Sequence, residues 1–280
     1  MKNPEVEAAH SRLRSALSRR GSLVIAFSGG VDSALLALVA WDVLGERMLA
    51  VIASSPSLPR AEEEGALEFL REHGVPFERI VTEEIDNEAY AANNPDRCYH
   101  CKKELFARLR AIAALRGFEA VAYGANADDA GDYRPGTGAA DEMEIAAPLV
   151  EAGIGKQMVR DLARALDLPV WDKPSSPCLA SRIPYYEPVT REKLRQIEKA
   201  ELALKSRGFR ICRVRHRGDT GCIEVPLDDH PRITSDAVWP ALVAEIRDAG
   251  FRAVTLDPSG FRSGRLNDAL EKRRGNGKGS

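Results

Sequence analysis

The sequence predicts an α/β protein in which a parallel, doubly wound sheet is followed by a smaller C-terminal α+β domain. Three observations carry this. An apolar run, Leu23-Val24-Ile25-Ala26-Phe27, passes through a glycine turn, Ser28-Gly29-Gly30-Val31-Asp32-Ser33, into the helix-forming Ala34-Leu35-Leu36-Ala37-Leu38. Short apolar runs then alternate with segments of helical spacing through Tyr123, the order expected of parallel strands joined by helices. Finally, the pattern breaks at a proline-rich stretch and restarts with a different order of elements.

After the glycine turn, strands are expected at Leu49 to Ala53, Arg79 to Val81 and Ala120 to Tyr123. A helix is predicted from Arg60 to His73, with Ala66, Leu67 and Leu70 on one face and Gly74 past its end, where a left-handed residue stops a helix. A longer helix is predicted from about Tyr99 to Arg116, with Leu105, Leu109 and Ile112 together and Gly117 beyond. Ligands of such sheets sit beyond the carboxyl ends of the strands. The glycine turn occupies that edge, and so does Gly124-Ala125-Asn126-Ala127-Asp128-Asp129, which follows the Ala120 to Tyr123 strand.

Residues 1–168 are therefore read as the first domain. From Pro169 to Pro188 five prolines (Pro169, Pro174, Pro177, Pro184, Pro188) forbid a continuous helix, so residues 169–189 read as an extended linker. Residues 190–264 read as an αββαβ unit: a helix capped by Thr190 and ended by Gly208, strands Arg210 to Arg215 and Cys222 to Val225, a helix near Ala237 to Asp248, and a strand Ala253 to Leu256. The polar, glycine-rich residues 265–280 read as a disordered tail.

A chain of 280 residues with 44% hydrophobic content can bury a sizeable core. Forty Lys and Arg against 42 Asp and Glu give a net charge of -2, which argues against a stable nucleic-acid partner. No run approaches the ~18 apolar residues of a membrane span, and the amphipathic first twenty residues lack a signal core, so a cytoplasmic protein is expected. Five cysteines without an export signal favour thiol, metal or cluster chemistry over disulfides.

The glycine turn has the makings of an anion site. Gly29 and Gly30 allow a sharp turn and close approach of a ligand, the following helix presents unpaired N–H groups, and the Ser28 and Ser33 hydroxyls add donors. Asp32 would repel a bare phosphate, so its presence points to a bridging Mg²⁺ and a metal–nucleotide complex. A Walker A loop is excluded, because its phosphate-binding lysine is missing. Ser-Gly-Gly-Val-Asp-Ser resembles instead the PP-loop of enzymes that cleave ATP between the α and β phosphates, which implies an adenine nucleotide α-hydrolase-like sheet.

Cys98-Tyr99-His100-Cys101 stands at a helix start, where two thiols of lowered pKa would share a face. That pair alone fits a redox couple, half a zinc site or half an iron–sulfur site. Cys178 lies in Lys173-Pro174-Ser175-Ser176-Pro177-Cys178-Leu179-Ala180-Ser181-Arg182-Ile183-Pro184, among groups that favour a thiolate. Cys212 and Cys222, in the two short strands, read as core residues. Arg213 and Arg215, two apart on a strand, share one face and suit a phosphate clamp or a solvated charged face.

Together, the PP-loop, the Cys178 linker, Asn126 with Asp132-Tyr-Arg134, and Arg213-Val-Arg215 resemble the LarE-type sulfur transferases, over residues from about 10 to 260. The resemblance implies an enzyme that adenylates a carboxylate of pyridinium-3,5-biscarboxylic acid mononucleotide with ATP and Mg²⁺, then replaces AMP with sulfur, in nickel-pincer cofactor biosynthesis. Within that family, some members sacrifice the sulfur at the Cys178 position and others hold a [4Fe-4S] cluster on three cysteines. Cys98, Cys101 and Cys178 imply the second kind, with the cluster carrying sulfide from a donor. Nucleotide contacts then fall to Ser28, Gly29, Gly30, Asp32, Ser33 and Asn126, substrate contacts to Ser181, Arg182, Arg213 and Arg215, and Mg²⁺ to Asp32. A homo-oligomer is also implied. The rival readings are a PP-loop tRNA thiolase, an amide-forming synthetase and a non-catalytic nucleotide-binding module.

Overall fold

The computed structural model describes residues 3–131, 135–262 and 265–267. The chain divides into two compact units, one of residues 1–84 with 96–176 and one of residues 85–95 with 177–280.

The first unit opens with helix α1 (Pro4–Ser18), capped by the Asn3 carboxamide on Glu5 N–H. Strand β1 (Leu23–Phe27) leads through the glycine turn to α2 (Val31–Leu44). Then come β2 (Met48–Ser54), α3 (Arg60–Glu72) and β3 (Phe77–Val81). The short α4 (Glu88–Ala91) belongs to the other unit, after which the chain returns as α5 (Arg97–Arg116) and β4 (Ala120–Tyr123). Helices α6 (Pro135–Glu142), α7 (Pro148–Glu151) and α8 (Lys156–Ala165) complete it. All four strands are parallel in the order β3-β2-β1-β4, so β1 is central and the connections leave it in both directions.

Alternation along β1 builds two cores. Leu23, Ile25 and Phe27 pack with apolar residues of α1, α2, α3 and α8, while Val24 joins Phe106, Leu109 and Ala113 of α5 and Ala139 and Ala140 of α6. Burial on both faces explains why β1 reads as an unbroken apolar run. Gly74 (φ +63°) and Gly117 (φ +74°) adopt the left-handed conformation that ends α3 and α5 as expected.

The second unit contains α9 (Arg191–Lys205), β5 (Arg213–Arg217), β6 (Thr220–Glu224), α10 (His230–Ile233), α11 (Trp239–Asp248) and β7 (Ala253–Leu256). The sheet order is β5-β6-β7, with β5 antiparallel and β7 parallel to β6. The Thr190 hydroxyl accepts from Lys193 N–H, the cap foreseen for α9. Residues 85–95 were not foreseen as part of this unit. Asn93, fully buried in the left-handed conformation (φ +56°), donates to the carbonyls of Pro184 at 2.7 Å and Glu187 at 2.9 Å. Asparagine tolerates that backbone better than most residues.

Three expectations are corrected. Strand β5 starts at Arg213, so Cys212 precedes it, because the chain from Gly208 through Ile211 is still turning out of α9. The linker is not wholly extended: Leu179–Arg182 forms a 3-10 turn. The tail was expected to be disordered from residue 265. Arg265 instead donates to Glu224 Oε1 at 3.0 Å and pairs with Asp257 Oδ2 at 2.9 Å, because Glu224 is fully buried and needs cations. Residues 268–280, like Asp132 and Arg134 of the sequence motif, lie outside the described residues.

Candidate active site

The glycine turn sits at the carboxyl end of β1, next to the loop after β4, where connections from β1 diverge. In open α/β sheets this is where ligands bind. Gly29 is left-handed (φ +71°), and a Cβ there would lie 2.6 Å from the Ala66 Cβ of α3. A Cβ on Gly124 would lie 2.9 Å from Ser33 N. Both positions therefore exclude any side chain. Ser33 Oγ donates to Gly30 O at 3.0 Å and accepts from Ser28 N–H at 3.2 Å, and the two serine hydroxyls are 3.1 Å apart. The serines thus brace the turn from inside. Gly30 N–H has only a 3.5 Å approach to Ser28 Oγ, and Gly30 provides no side-chain cap to α2.

Asp32 and Asn126, assigned to one site from sequence, are joined: Asn126 Nδ2 donates to Asp32 Oδ1 at 3.1 Å. The other Asp32 oxygen accepts from Lys156 Nζ in an ion pair. Lys156 was missed by sequence reasoning; its only signal was a place just after Gly155 at a helix start. The loop after β4 is held to the start of the same helix and to the chain just before it, since Asp128 Oδ2 accepts Lys156 N–H at 2.8 Å and Ala127 N–H donates to Ile154 O at 2.8 Å. Asp128, read as one more acidic group on the rim, is thus the N-terminal partner of α8. An ammonium against Asp32 stands where a cation would stand, so the carboxylate fits Mg²⁺ accompanying a nucleotide.

A second lysine was also passed over. Lys173, five residues before Cys178 in the linker, donates from Nζ to Gly29 O at 3.0 Å and pairs with Glu62 of α3 at 2.9 Å. Its backbone is tethered from α8, where Arg160 donates to the carbonyls of Trp171 at 2.9 Å and Lys173 at 3.4 Å.

None of the five cysteines is disulfide-bonded. Cys98 is exposed and Cys101 half-buried, one turn apart at the start of α5 as expected, while Cys178 is half-buried just ahead of the 3-10 turn. Among the described residues, no three His, Cys, Asp or Glu side chains gather as a metal site. Cys212 and Cys222 are buried. Burial, reinforced by the nearby Glu201 carboxylate, pushes the Cys212 thiol up to about 12. In iron-free protein at pH 8, iodoacetamide should alkylate Cys98 and leave Cys212 unmodified, read by peptide mass spectrometry. Equal labelling of the two would contradict the placement of Cys212.

In the second unit the linker arginine is buried. Arg182, 1% exposed, pairs with Glu201 through Nε at 2.8 Å and Nη2 at 3.0 Å. Its Nη1 donates to the carbonyls of Pro177 at 2.7 Å and Cys178 at 3.1 Å, and to Ser181 Oγ at 2.8 Å. Arg182 was expected to contact substrate; here its donors are spent on holding the chain around Cys178. Arg215 donates to Glu224 Oε2 at 3.0 Å and to Ser181 O at 2.8 Å. Arg213 is 8% exposed, with its guanidinium 5.3 Å from the Phe261 ring centre. Burial and the charge of Arg182 pull the Arg213 guanidinium below its ordinary range, and its Nη1 donates to Cys212 O at 2.7 Å. Glu201 and Glu224, which organise these arginines, left no signal in the sequence beyond ordinary charged spacing.

Comparison with known proteins places the chain in a family. The NAD synthase family model matches residues 5–120, the portion containing the glycine turn. An uncharacterised protein of Synechocystis is 42% identical over 267 residues, covering 95% of this chain and 100% of that protein. The pyridinium-3,5-bisthiocarboxylic acid mononucleotide synthase of Lactiplantibacillus plantarum is 38% identical over 262 residues, covering 93% of this chain and 94% of that protein. An uncharacterised protein of Methanocaldococcus jannaschii is 27% identical over 241 residues, covering 86% and 91%. No described helix is long and apolar enough to cross a membrane. With a synthase related at this level across nearly its whole length, and a PP-loop seated at the switch point of a parallel sheet, the chain belongs to the pyridinium-3,5-bisthiocarboxylic acid mononucleotide synthase family, the LarE-type sulfurtransferases that use ATP.

Proposed function

We propose that this protein adenylates a carboxylate of pyridinium-3,5-biscarboxylic acid mononucleotide and exchanges the AMP for sulfur, as a step toward a nickel-pincer cofactor. The observation that carries the proposal is the seating of the glycine turn, cross-linked through Asp32 to Asn126 and Lys156 at the carboxyl edge of the sheet. In the first stage a substrate carboxylate oxygen attacks the α-phosphorus of ATP and pyrophosphate leaves. Free N–H groups at the start of α2 would face the phosphates, and Asp32 would hold the accompanying Mg²⁺. In the second stage sulfur attacks the acyl carbon, and AMP leaves with the bonding electrons of the acyl C–O bond.

Cys98, Cys101 and Cys178 would hold a [4Fe-4S] cluster; all three are thiols outside disulfides, a donor set suited to iron. Such a cluster, when bound, supplies sulfide and spares the protein's own sulfur. Arg213 and Arg215 would receive the substrate phosphate, with Arg182 and Ser181 shaping the segment around Cys178. Sulfur transfer is favoured over the amide-forming and tRNA-modifying alternatives by the relative's identity and by the chain's net charge of -2. A non-catalytic role is tested directly.

Purified protein should release pyrophosphate from ATP only when the pyridinium substrate is present, and anaerobic preparations should contain about four irons. Absence of substrate-dependent pyrophosphate would overturn the adenylation. A colourless protein with stoichiometric zinc would overturn the cluster.

A further inference from the structure

A PP-loop has no lysine of its own, and its one charged residue here, Asp32, is negative and already paired with Lys156. The cationic partner of the glycine turn comes instead from the linker. Lys173 Nζ reaches Gly29 O at 3.0 Å and Glu62 at 2.9 Å, which ties the turn to α3. The lysine's own backbone is held from α8. Arg160 holds the carbonyls of Trp171 and Lys173, and Arg164 stacks 3.8 Å over the Trp171 ring. The Trp171 side chain packs on the core of the first unit.

The carbonyl of Gly29 and the N–H of Gly30 belong to one planar trans peptide, so they point in opposite directions. Fixing the carbonyl toward Lys173 therefore turns the Gly30 N–H the other way, on the side of Ser28 Oγ, which it approaches only to 3.5 Å. Between two glycines that peptide would otherwise rotate easily, since neither neighbour carries a Cβ to restrict it. A rotated peptide would present a carbonyl oxygen to the phosphates in place of a donor.

We infer that Lys173 is a positioning residue for the adenylation step, locking the Gly29–Gly30 peptide with its N–H turned to the nucleotide phosphates. The inference rests on the ATP-cleaving reading of the site. It also gives the segment that leads to Cys178 a part in building the nucleotide site.

The test compares Lys173→Ala and Lys173→Arg with the unaltered protein. Three quantities are read: binding of α,β-methylene ATP with Mg²⁺ by calorimetry, kcat/KM for ATP in pyrophosphate release, and Tm without ligand. Losing a preorganised donor lowers the rate on the order of 100-fold. Lys173→Ala should show a loss of that size in kcat/KM, weaker analogue binding, and a ligand-free Tm within a few degrees of the parent, because a single partly exposed ion pair contributes about 1 kcal/mol to stability. Lys173→Arg, which keeps a cationic donor for the carbonyl, should recover at least tenfold of the loss. Unchanged analogue binding in Lys173→Ala overturns the inference. So does an equal loss in both variants, which would mean that packing and not donation matters. If the unaltered protein itself fails to bind the analogue, the ATP reading falls and the inference falls with it.

Discussion

Replacing Glu201 with leucine is expected to destabilise the second unit by about 3–5 kcal/mol, the usual loss when one member of a buried ion pair is removed. The Arg182 and Glu201 side chains are 1% and 4% exposed, so the arginine would keep its charge with no counterion and no access to water. Val214 N–H, which donates to Glu201 Oε1 at 3.1 Å, would lose its acceptor as well. A loss of that size is a large part of the 5–15 kcal/mol that a whole domain commonly has. Urea unfolding would show it as a lower midpoint, and hydrogen exchange as lost protection of β5 amides. Combining Glu201→Leu with Arg182→Met should recover much of the stability, since the orphaned charge is gone. The double variant should still lose sulfur transfer, because the carbonyls of Pro177 and Cys178 no longer have their donor. A Glu201→Leu loss below about 1 kcal/mol would show that the pair is hydrated and not structural.

Cys178→Ala should separate the two halves of the reaction. Pyrophosphate release should stay within a few-fold of the parent, because the glycine turn, Asp32, Lys156 and Lys173 all belong to the first unit and are untouched. Thiocarboxylate product should fall below detection, and anaerobic iron content should fall with it. The parent protein should show an intact chain by mass spectrometry after several turnovers on added sulfide. Loss of the mass of H₂S at Cys178 after one turnover would instead identify the cysteine as a sacrificed donor. Sulfur transfer persisting in Cys178→Ala would remove this residue from the chemistry altogether.

Much of the fold was legible because its signals are local. β1, α2, α3, α5 and β4 each carry an apolar pattern and a glycine or capping residue at the boundary, and these act over a single turn or strand. The α9 cap at Thr190 was readable for the same reason. What escaped depends on partners distant in sequence. Lys156 meets Asp32, and Lys173 meets Gly29 and Glu62, only after α8 and the linker have been brought beside β1 and α3. Nothing near a lysine in the sequence records such a meeting. The same holds for Asn93, whose carboxamide joins residues 85–95 to the chain after Ile183. Arg182 shows the converse: the sequence marked it as important, and its role depended on finding Glu201 beside it.

By itself, the sequence determined the parallel α/β architecture, the place of the glycine turn on its edge, and the identity of three cysteines, Cys98, Cys101 and Cys178. Those follow from hydrophobic period, glycine stereochemistry and residue identity, which are properties of short stretches of chain. The tertiary structure alone decided how charge is distributed around them: which lysine neutralises Asp32, which one orients the Gly29–Gly30 peptide, and which arginines are bound by buried carboxylates. The physical reason is that a charge removed from water must find a counterion within a few ångströms, and folding, not sequence proximity, selects which one it finds.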